Sequence, residues 1–231
     1  MKPPSPLSRI SIIIPTLDEA GEIAATLMAL APLRALGHQV IVVDGGSADG
    51  TVEIAAPLVD QLLRSPPGRA AQQNAGARAA SGDVFLFLHA DTRLPPAADA
   101  LIVRGLERTG LGWGRFDVRL TGRHPMLRLI EQMISLRSRV TGIATGDQAI
   151  FVRREWFRAA SGFPVIPLME DLALSRALRR RGRPLCLRER VITSSRRWER
   201  RGVLRTIVLM WRLRLAYALG ADPAALAERY R

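Results

Sequence analysis

The sequence predicts an α/β fold, a Rossmann-like, mostly parallel sheet covered by helices on both faces, with a C-terminal amphipathic helix. Two observations carry this. Three short runs, Ile10–Ile14, Val40–Val43 and Val84–Leu88, are apolar at almost every position, so each strand needs cover on both sides. Segments with helical apolar spacing separate the runs, which is the alternation of a sheet wound by crossover helices. The 231 residues suffice for one large domain, and no Gly-, Ser- or Pro-rich linker divides them. At 48% hydrophobic and 24% charged, the composition is globular rather than disordered.

In chain order, strand Ile10–Ile14 is followed by a helix over Gly21–Leu36, with Ile23, Leu27 and Leu30 on one face. Strand Val40–Val43 leads to a short helix over Thr51–Val59, and a helix over Arg69–Ala80 stops at Ser81-Gly82. Strand Val84–Leu88 precedes a helix over Pro95–Arg108. The second half reads as strand Trp113–Leu120, helix Met126–Arg139, strand Ala149–Arg153 and helix Glu170–Arg181, which ends before Gly182. The amphipathic helix is Arg201–Leu219, ahead of Gly220–Pro223.

Charge divides the chain. Residues 1–120 carry 11 basic and 12 acidic side chains, whereas residues 121–231 carry 23 and 9, so the excess behind the net charge of +13 lies in the second half. This predicts that the second half faces something anionic: phosphate, a membrane surface or nucleic acid. Cys186 is the only cysteine, which excludes an intrachain disulfide and a four-cysteine zinc site. No secretory signal or membrane span is read. The longest candidate, Val203–Leu219, is interrupted by Arg205, Arg212 and Arg214. The chain is expected in the cytoplasm, soluble or peripheral on the inner face of the membrane.

Parallel sheets bind ligands beyond the carboxyl ends of their strands. Pro15-Thr-Leu-Asp-Glu19 and Asp44-Gly-Gly-Ser-Ala-Asp-Gly-Thr51 stand there, with carboxylates suited to ribose and base N–H groups, and glycines that let backbone approach a ligand. Ordinary turns and helix caps at Asp49 or Thr51 explain them as well. In Gly68–Ala77, Arg69 suits a phosphate and Asn74 a nucleotide, or the segment simply starts a helix that packs closely at Gly76. His89-Ala-Asp-Thr92 ends the most apolar strand, where a carboxylate suits Mg²⁺ or Mn²⁺ on a diphosphate. Glu170-Asp171 heads a helix, where acids also favour the dipole. Arg196-Arg-Trp198 suits a diphosphate and a stacking face, or is a solvated basic turn.

The order of these motifs at strand ends resembles the family 2 glycosyltransferases of the GT-A fold, from about Ile10 to Trp198, and looks like a small bacterial subgroup of them. The resemblance implies an inverting transferase that moves a sugar from a nucleotide-diphosphate donor, a UDP-sugar, to a hydroxyl acceptor, free or lipid-linked. It implies a nucleotide-binding half over about 9–120, an acceptor and catalytic half over about 121–200, and a C-terminal helix over about 201–231. Pro15, Thr16, Glu19, Asp44, Gly45, Ser47, Arg69, Asn74 and Ala90 would hold the donor nucleotide. Asp91 would hold a divalent cation, Mn²⁺ or Mg²⁺. Asp171 would be the general base beside Glu170. Arg196, Arg197 and Trp198 would take the diphosphate, and Gly146, Asp147 and Gln148 would line the acceptor side. Trp113 to Phe116 fit either another wall or the core.

The sequence departs from the family pattern at four positions. Asp18 stands for the usual Asn and Gly45 for a second Asp. His89 replaces the first Asp of DxD, and Ser194 replaces the Gln of QxxRW, which argues against a processive synthase. The helix N-terminus is expected to lower the pKa of Asp171. Alternatives are a nucleotidyltransferase, which lacks its Gly-rich basic loop here, and a degenerate transferase that binds nucleotide without turnover. A nucleic-acid-binding protein is opposed by 5% aromatics and the lack of a known binding motif. Val203, Ile207, Met210, Trp211 and Leu215 make an apolar face that either lies on anionic membrane or packs on the sheet.

Overall fold

The computed structural model describes residues 9–230, with the side chains of Arg197, Arg200 and Arg201 outside the description. Its first half comprises β1 (Ile10–Thr16), α1 (Ala20–Ala35), β2 (Gln39–Asp44), α2 (Thr51–Ala55), β3 (Gln61–Arg64), α3 (Arg69–Ala79), β4 (Val84–Phe87), β5 (Thr92–Arg93), α4 (Ala98–Thr109) and β6 (Trp113–Leu120). The second comprises α5 (Pro125–Thr141), β7 (Phe151–Arg153), α6 (Arg154–Ala159), α7 (Glu170–Arg179), β8 (Leu185–Thr193), α8 (Arg196–Arg201), α9 (Val203–Ala218) and α10 (Pro223–Tyr230).

One sheet runs β3-β2-β1-β4-β7-β6-β8-β5. The pairs β1–β2, β1–β4 and β2–β3 are parallel, as the apolar runs predict. Beyond β4 the sheet is mixed: β7 runs antiparallel to both β4 and β6, and β5 antiparallel to β8, while β6–β8 is parallel. The sheet is strongly curled. β5 follows β4 by a short turn closed by the Thr92 amide donating to the His89 carbonyl at 3.1 Å, yet three strands lie between them in the order. Four strand spacings would need about 19 Å in a flat sheet. That turn reaches no more than about 14 Å.

Alternate residues of the buried strands feed two cores, one per face. Ile12, Ile14, Val42 and Leu86 pack with Ile23 and Leu27 of α1, Ile102 and Leu106 of α4, and Ile130 and Ile134 of α5. Ile13, Val43, Phe85 and Phe87 pack with Phe157, Phe163, Leu174 and Leu178. Gly76 brings α3 against β1: a Cβ there would lie 2.4 Å from Ile13 Cγ2. Trp113 is fully buried and donates its indole N–H to the Gly182 carbonyl at 2.9 Å, and Phe116 is equally buried, so both belong to the core.

Three strands and three helices were not read in the sequence. β3 is half exposed and β5 has two residues. β8 slips register against β6 between Phe116 and Asp117, where Arg188 and Glu189 have no partner, so its apolar alternation is broken. The short helices α6, α8 and α10 fall where apolar periodicity is not sustained. No helix among the described residues is long and apolar enough to cross a membrane.

Candidate active site

Two loops at the ends of β1 and β2 are stitched to each other. The Asp18 amide donates to Ser47 Oγ at 2.9 Å, and the Ala48 amide to Asp18 Oδ1 at 2.9 Å. The amides of Glu19 and Ala20 donate to Thr51 Oγ1 and Asp49 Oδ2, at 2.8 and 3.0 Å. Asp44 organises its own turn, accepting from the Gly46 and Ser47 amides at 2.9 and 3.1 Å and from Ser47 Oγ at 2.5 Å. Gln72 Nε2 donates to the carbonyls of Thr16 and Val43, 2.7 and 2.8 Å away, and holds the two strand ends at fixed spacing. A Cβ on Gly45 would press on that same amide at 3.0 Å. Nothing in the sequence singles out Gln72, because its role depends on which way α3 faces.

Other expected donor residues divide. Arg69 lines the cavity. Pro15 and Thr16 are buried in β1. Ala90 is buried and accepts from Thr26 Oγ1 at 2.6 Å. Asn74 spends both amide atoms on the backbone of Phe163, at 2.7 and 3.0 Å, and does not line the cavity.

Glu19 and Asp91 meet at Arg196, which joins them from the far end of the chain. Arg196 Nη2 lies 2.9 Å from Glu19 Oε2 and 3.6 Å from Asp91 Oδ2. Burial raises the Glu19 pKa, an effect opposed by the Arg196 hydrogen bond. The side chain of Arg197 lies outside the described residues. Trp198 and Ser194 line the cavity beside this cluster.

The cavity encloses about 690 Å³ and reaches Asp91, His89, Gly146, Glu170 and Asp171. Asp171 sits in the first turn of α7 and is held by two backbone donors, the Gly146 amide to Oδ2 at 2.8 Å and the Leu172 amide to Oδ1 at 2.7 Å. The sequence reading expected its pKa to fall. Burial outweighs the two N–H groups, and the pKa is raised. Burial, then the neighbouring Asp171, pushes Glu170 to about 7, against the pull of Arg69. His89 is lowered to about 3 by burial and by Arg69, so its imidazole is neutral.

Of the expected acceptor wall, Gly146 and Asp147 line the cavity. Gln148 is fully buried and donates to Ser138 Oγ at 3.1 Å, bracing the turn rather than facing a ligand. The sequence reading missed Arg137 and Arg214, which both line the cavity. A signal existed for the first: Arg137 continues the inward row Ile130–Ile134 at helical spacing, a cation where a core residue belongs.

Among the described residues, no group of three or more His, Cys, Asp or Glu side chains is arranged to hold a metal. A single carboxylate, Asp91, at a strand end beside the cavity still fits Mn²⁺ or Mg²⁺. Such ions take one or two protein carboxylates and complete their shell with substrate phosphates and water.

The sequence model described as glycosyl transferase family 2 matches residues 11–158. The chain belongs to glycosyl transferase family 2. Within that family it is similar to the undecaprenyl-phosphate 4-deoxy-4-formamido-L-arabinose transferase of Yersinia pestis, 27% identical over 165 residues, 64% of this chain and 49% of the relative. The chain thus spans about half the length of the curated relatives it matches. Solved structures share its GT-A fold. The mannosyltransferase PcManGT from Pyrobaculum calidifontis, in complex with GDP-Man and Mn²⁺, superposes with a TM-score of 0.67 at 21% identity, over 98% of this chain and 70% of that one. S. aureus TarS in complex with UDP-GlcNAc gives 0.65 at 17% identity, over 81% and 58%.

Proposed function

We propose that this family 2 chain is an inverting glycosyltransferase that moves a sugar from a nucleotide-diphosphate donor, a UDP-sugar, to an acceptor hydroxyl. The observation that carries this reading is the Asp171 carboxylate, aimed by two backbone N–H groups into the cavity that Asp91 also lines. The relatives' nucleotide-sugar complexes support a donor of this class.

The nucleoside lies against the Pro15–Glu19 and Asp44–Thr51 loops, and Arg196 and Arg69 face the diphosphate. A divalent cation on Asp91 would neutralise the charge that grows on the departing diphosphate. The acceptor oxygen forms its bond to the anomeric carbon as the bond from that carbon to the diphosphate oxygen breaks. The acceptor proton passes to the Asp171 carboxylate, and the nucleoside diphosphate leaves with the electron pair. A buried carboxylate with a raised pKa is a better proton acceptor than a solvated one. Glu170 beside it, pushed up to about 7, is mostly protonated below that pH and there adds little second charge to the site.

Calorimetric titration with UDP and with GDP, each with and without Mn²⁺, tests the donor half of the reading. Binding by neither nucleotide overturns it. Binding of UDP that needs Mn²⁺ in the native chain and loses that dependence in Asp91→Ala supports it.

A further inference from the structure

Three carboxyl groups share one guanidinium. Arg196 Nη2 lies 2.9 Å from Glu19 Oε2 and 3.6 Å from Asp91 Oδ2, and its Nε lies 3.9 Å from Glu22 Oε1. Glu19 immediately precedes α1, Glu22 stands in its first turn, and Asp91 lies between β4 and β5. Burial works against an ionised Glu19, and the charges of Asp91 and Glu22 add to that, while Arg196 opposes all three. Among the described residues, no other basic side chain forms an ion pair with these carboxyl groups. The guanidinium is therefore what lets them stand together.

The root of this side chain is pinned and its tip is not. Ser195, buried just ahead of it, donates its amide to Thr121 Oγ1 at 3.2 Å and its hydroxyl to Glu199 Oε1 at 3.0 Å. The Arg196 side chain itself is 42% exposed. A change of partner thus takes a turn about side-chain bonds and no movement of the loop. Arginine cannot release a carboxylate by losing its proton, so it gives up Asp91 only by moving away. Its planar fork of donors matches a phosphate as well as it matches a carboxylate.

We propose that Arg196 and the divalent cation are alternative occupants of Asp91, and that the donor's diphosphate decides between them by taking the guanidinium. This rests on the donor reading above. Two cations at one carboxylate oxygen repel, so Arg196 on Asp91 Oδ2 excludes a metal ion from it. Once the fork turns to the diphosphate, Asp91 is open and the three carboxyl groups are left without a counter-charge. The cation is then taken with the nucleotide or after it, never before it. The coupling is reciprocal: a metal on Asp91 in turn favours the arrangement in which Arg196 holds the diphosphate. Arg196 is in this sense a positioning residue that commits the metal to a loaded site.

The test is Mn²⁺ binding by the whole chain, followed by loss of the free-ion paramagnetic resonance signal and corrected for the Mn²⁺ that UDP holds in solution. In the native chain UDP is expected to tighten Mn²⁺ binding by about tenfold or more, and uridine to leave it unchanged. Without nucleotide, Arg196→Gln is expected to bind Mn²⁺ about tenfold more tightly than the native chain. Arg196→Lys, which keeps the charge, should gain less, and adding Asp91→Asn to Arg196→Gln should erase the gain. Melting close to the native temperature reports that each variant is folded. Native Mn²⁺ binding that is equally tight with and without UDP overturns the proposal. So does an Arg196→Gln chain that melts normally and gains no affinity, and so does a gain that survives Asp91→Asn. Should Arg196→Gln melt early, the native contrast between UDP and uridine decides, and equal effects of the two overturn the proposal. Failure of UDP to bind, with the Arg196→Gln gain intact, would sink the donor reading and leave the hold of Arg196 on Asp91 standing.

Discussion

The Gly146 amide donates to Asp171 Oδ2 at 2.8 Å, across 25 residues of sequence, and His89 closes over the same glycine. A Cβ on Gly146 would lie 2.6 Å from His89 Nε2. One small residue therefore both aims the carboxylate and makes room for the imidazole. Gly146→Ala is expected to lower kcat by ~10–100-fold, since small misplacements of reacting groups cost that much. Donor affinity should stay the same. Steady-state kinetics with the donor varied checks it, and a change confined to donor KM would be the wrong outcome.

Asp171→Asn keeps the shape of the side chain and removes the proton acceptor. The expected loss is ~10²–10⁴-fold in kcat with UDP binding preserved. Near-normal turnover would show that the acid only complements the α7 dipole.

Glu170 makes stability depend on pH in a defined direction. Its pKa rises from 4.5 to about 7 on folding, so the folded chain holds a proton that the unfolded chain releases. The stability from the neutral form is complete below pH 4.5 and is lost as pH rises through about 7. Asp171, also raised, adds to the same trend. Glu170→Gln should flatten the slope and gain roughly 2–3 kcal/mol at pH 8. Thermal unfolding of both chains at pH 5 and pH 8 tests this, and an equal gain at both values would contradict it.

Arg196 joins Glu19 and Asp91, but its side chain is 42% exposed, so the ion pairs add little to stability. Arg196→Ala should leave the melting temperature nearly unchanged and weaken UDP binding by about tenfold. Calorimetry and melting on the same sample separate the two effects.

Vesicle sedimentation addresses the exposed apolar side chains of α5 and α9, Met133 and Trp211 among them. Binding should require anionic lipid, fall as salt is added, and drop sharply in a Met133→Glu, Trp211→Glu double variant. Equal binding to neutral vesicles would assign the surface no role for charge.

Much of this architecture was legible because burial on both faces leaves a plain mark. β1, β2 and β4 are apolar runs in the sequence and fully buried strands in the fold. Glu170-Asp171, the proposed catalytic pair, was legible as two acids heading a periodic helix. Direction was not. Asn74 and Gln148 have the residue types of ligand-binding groups, yet their amides are spent on Phe163 and Ser138. The amphipathic face of α9 admitted two readings, and the structure bears on the packing one alone: Val203 and Ile207 pack inward while Trp211 and Leu215 stay exposed. The Asp171 pKa was misjudged because a helix terminus shows in sequence and the depth of a cavity does not.

The curl of the sheet limits where the chain can change length. Thr92 faces Thr193 in the β5–β8 pair, and their hydroxyls bond at 2.9 Å. Asp91 precedes one partner and Ser194 follows the other, so the carboxylate and the start of the Arg196 turn ride on a single crosslink. The proposed cation ligand and the proposed diphosphate clamp are then coupled through the β5–β8 pair. An inserted residue between His89 and Asp91 would break that crosslink and part the two, whereas one in the exposed stretch before β3 would be absorbed by solvent-facing backbone.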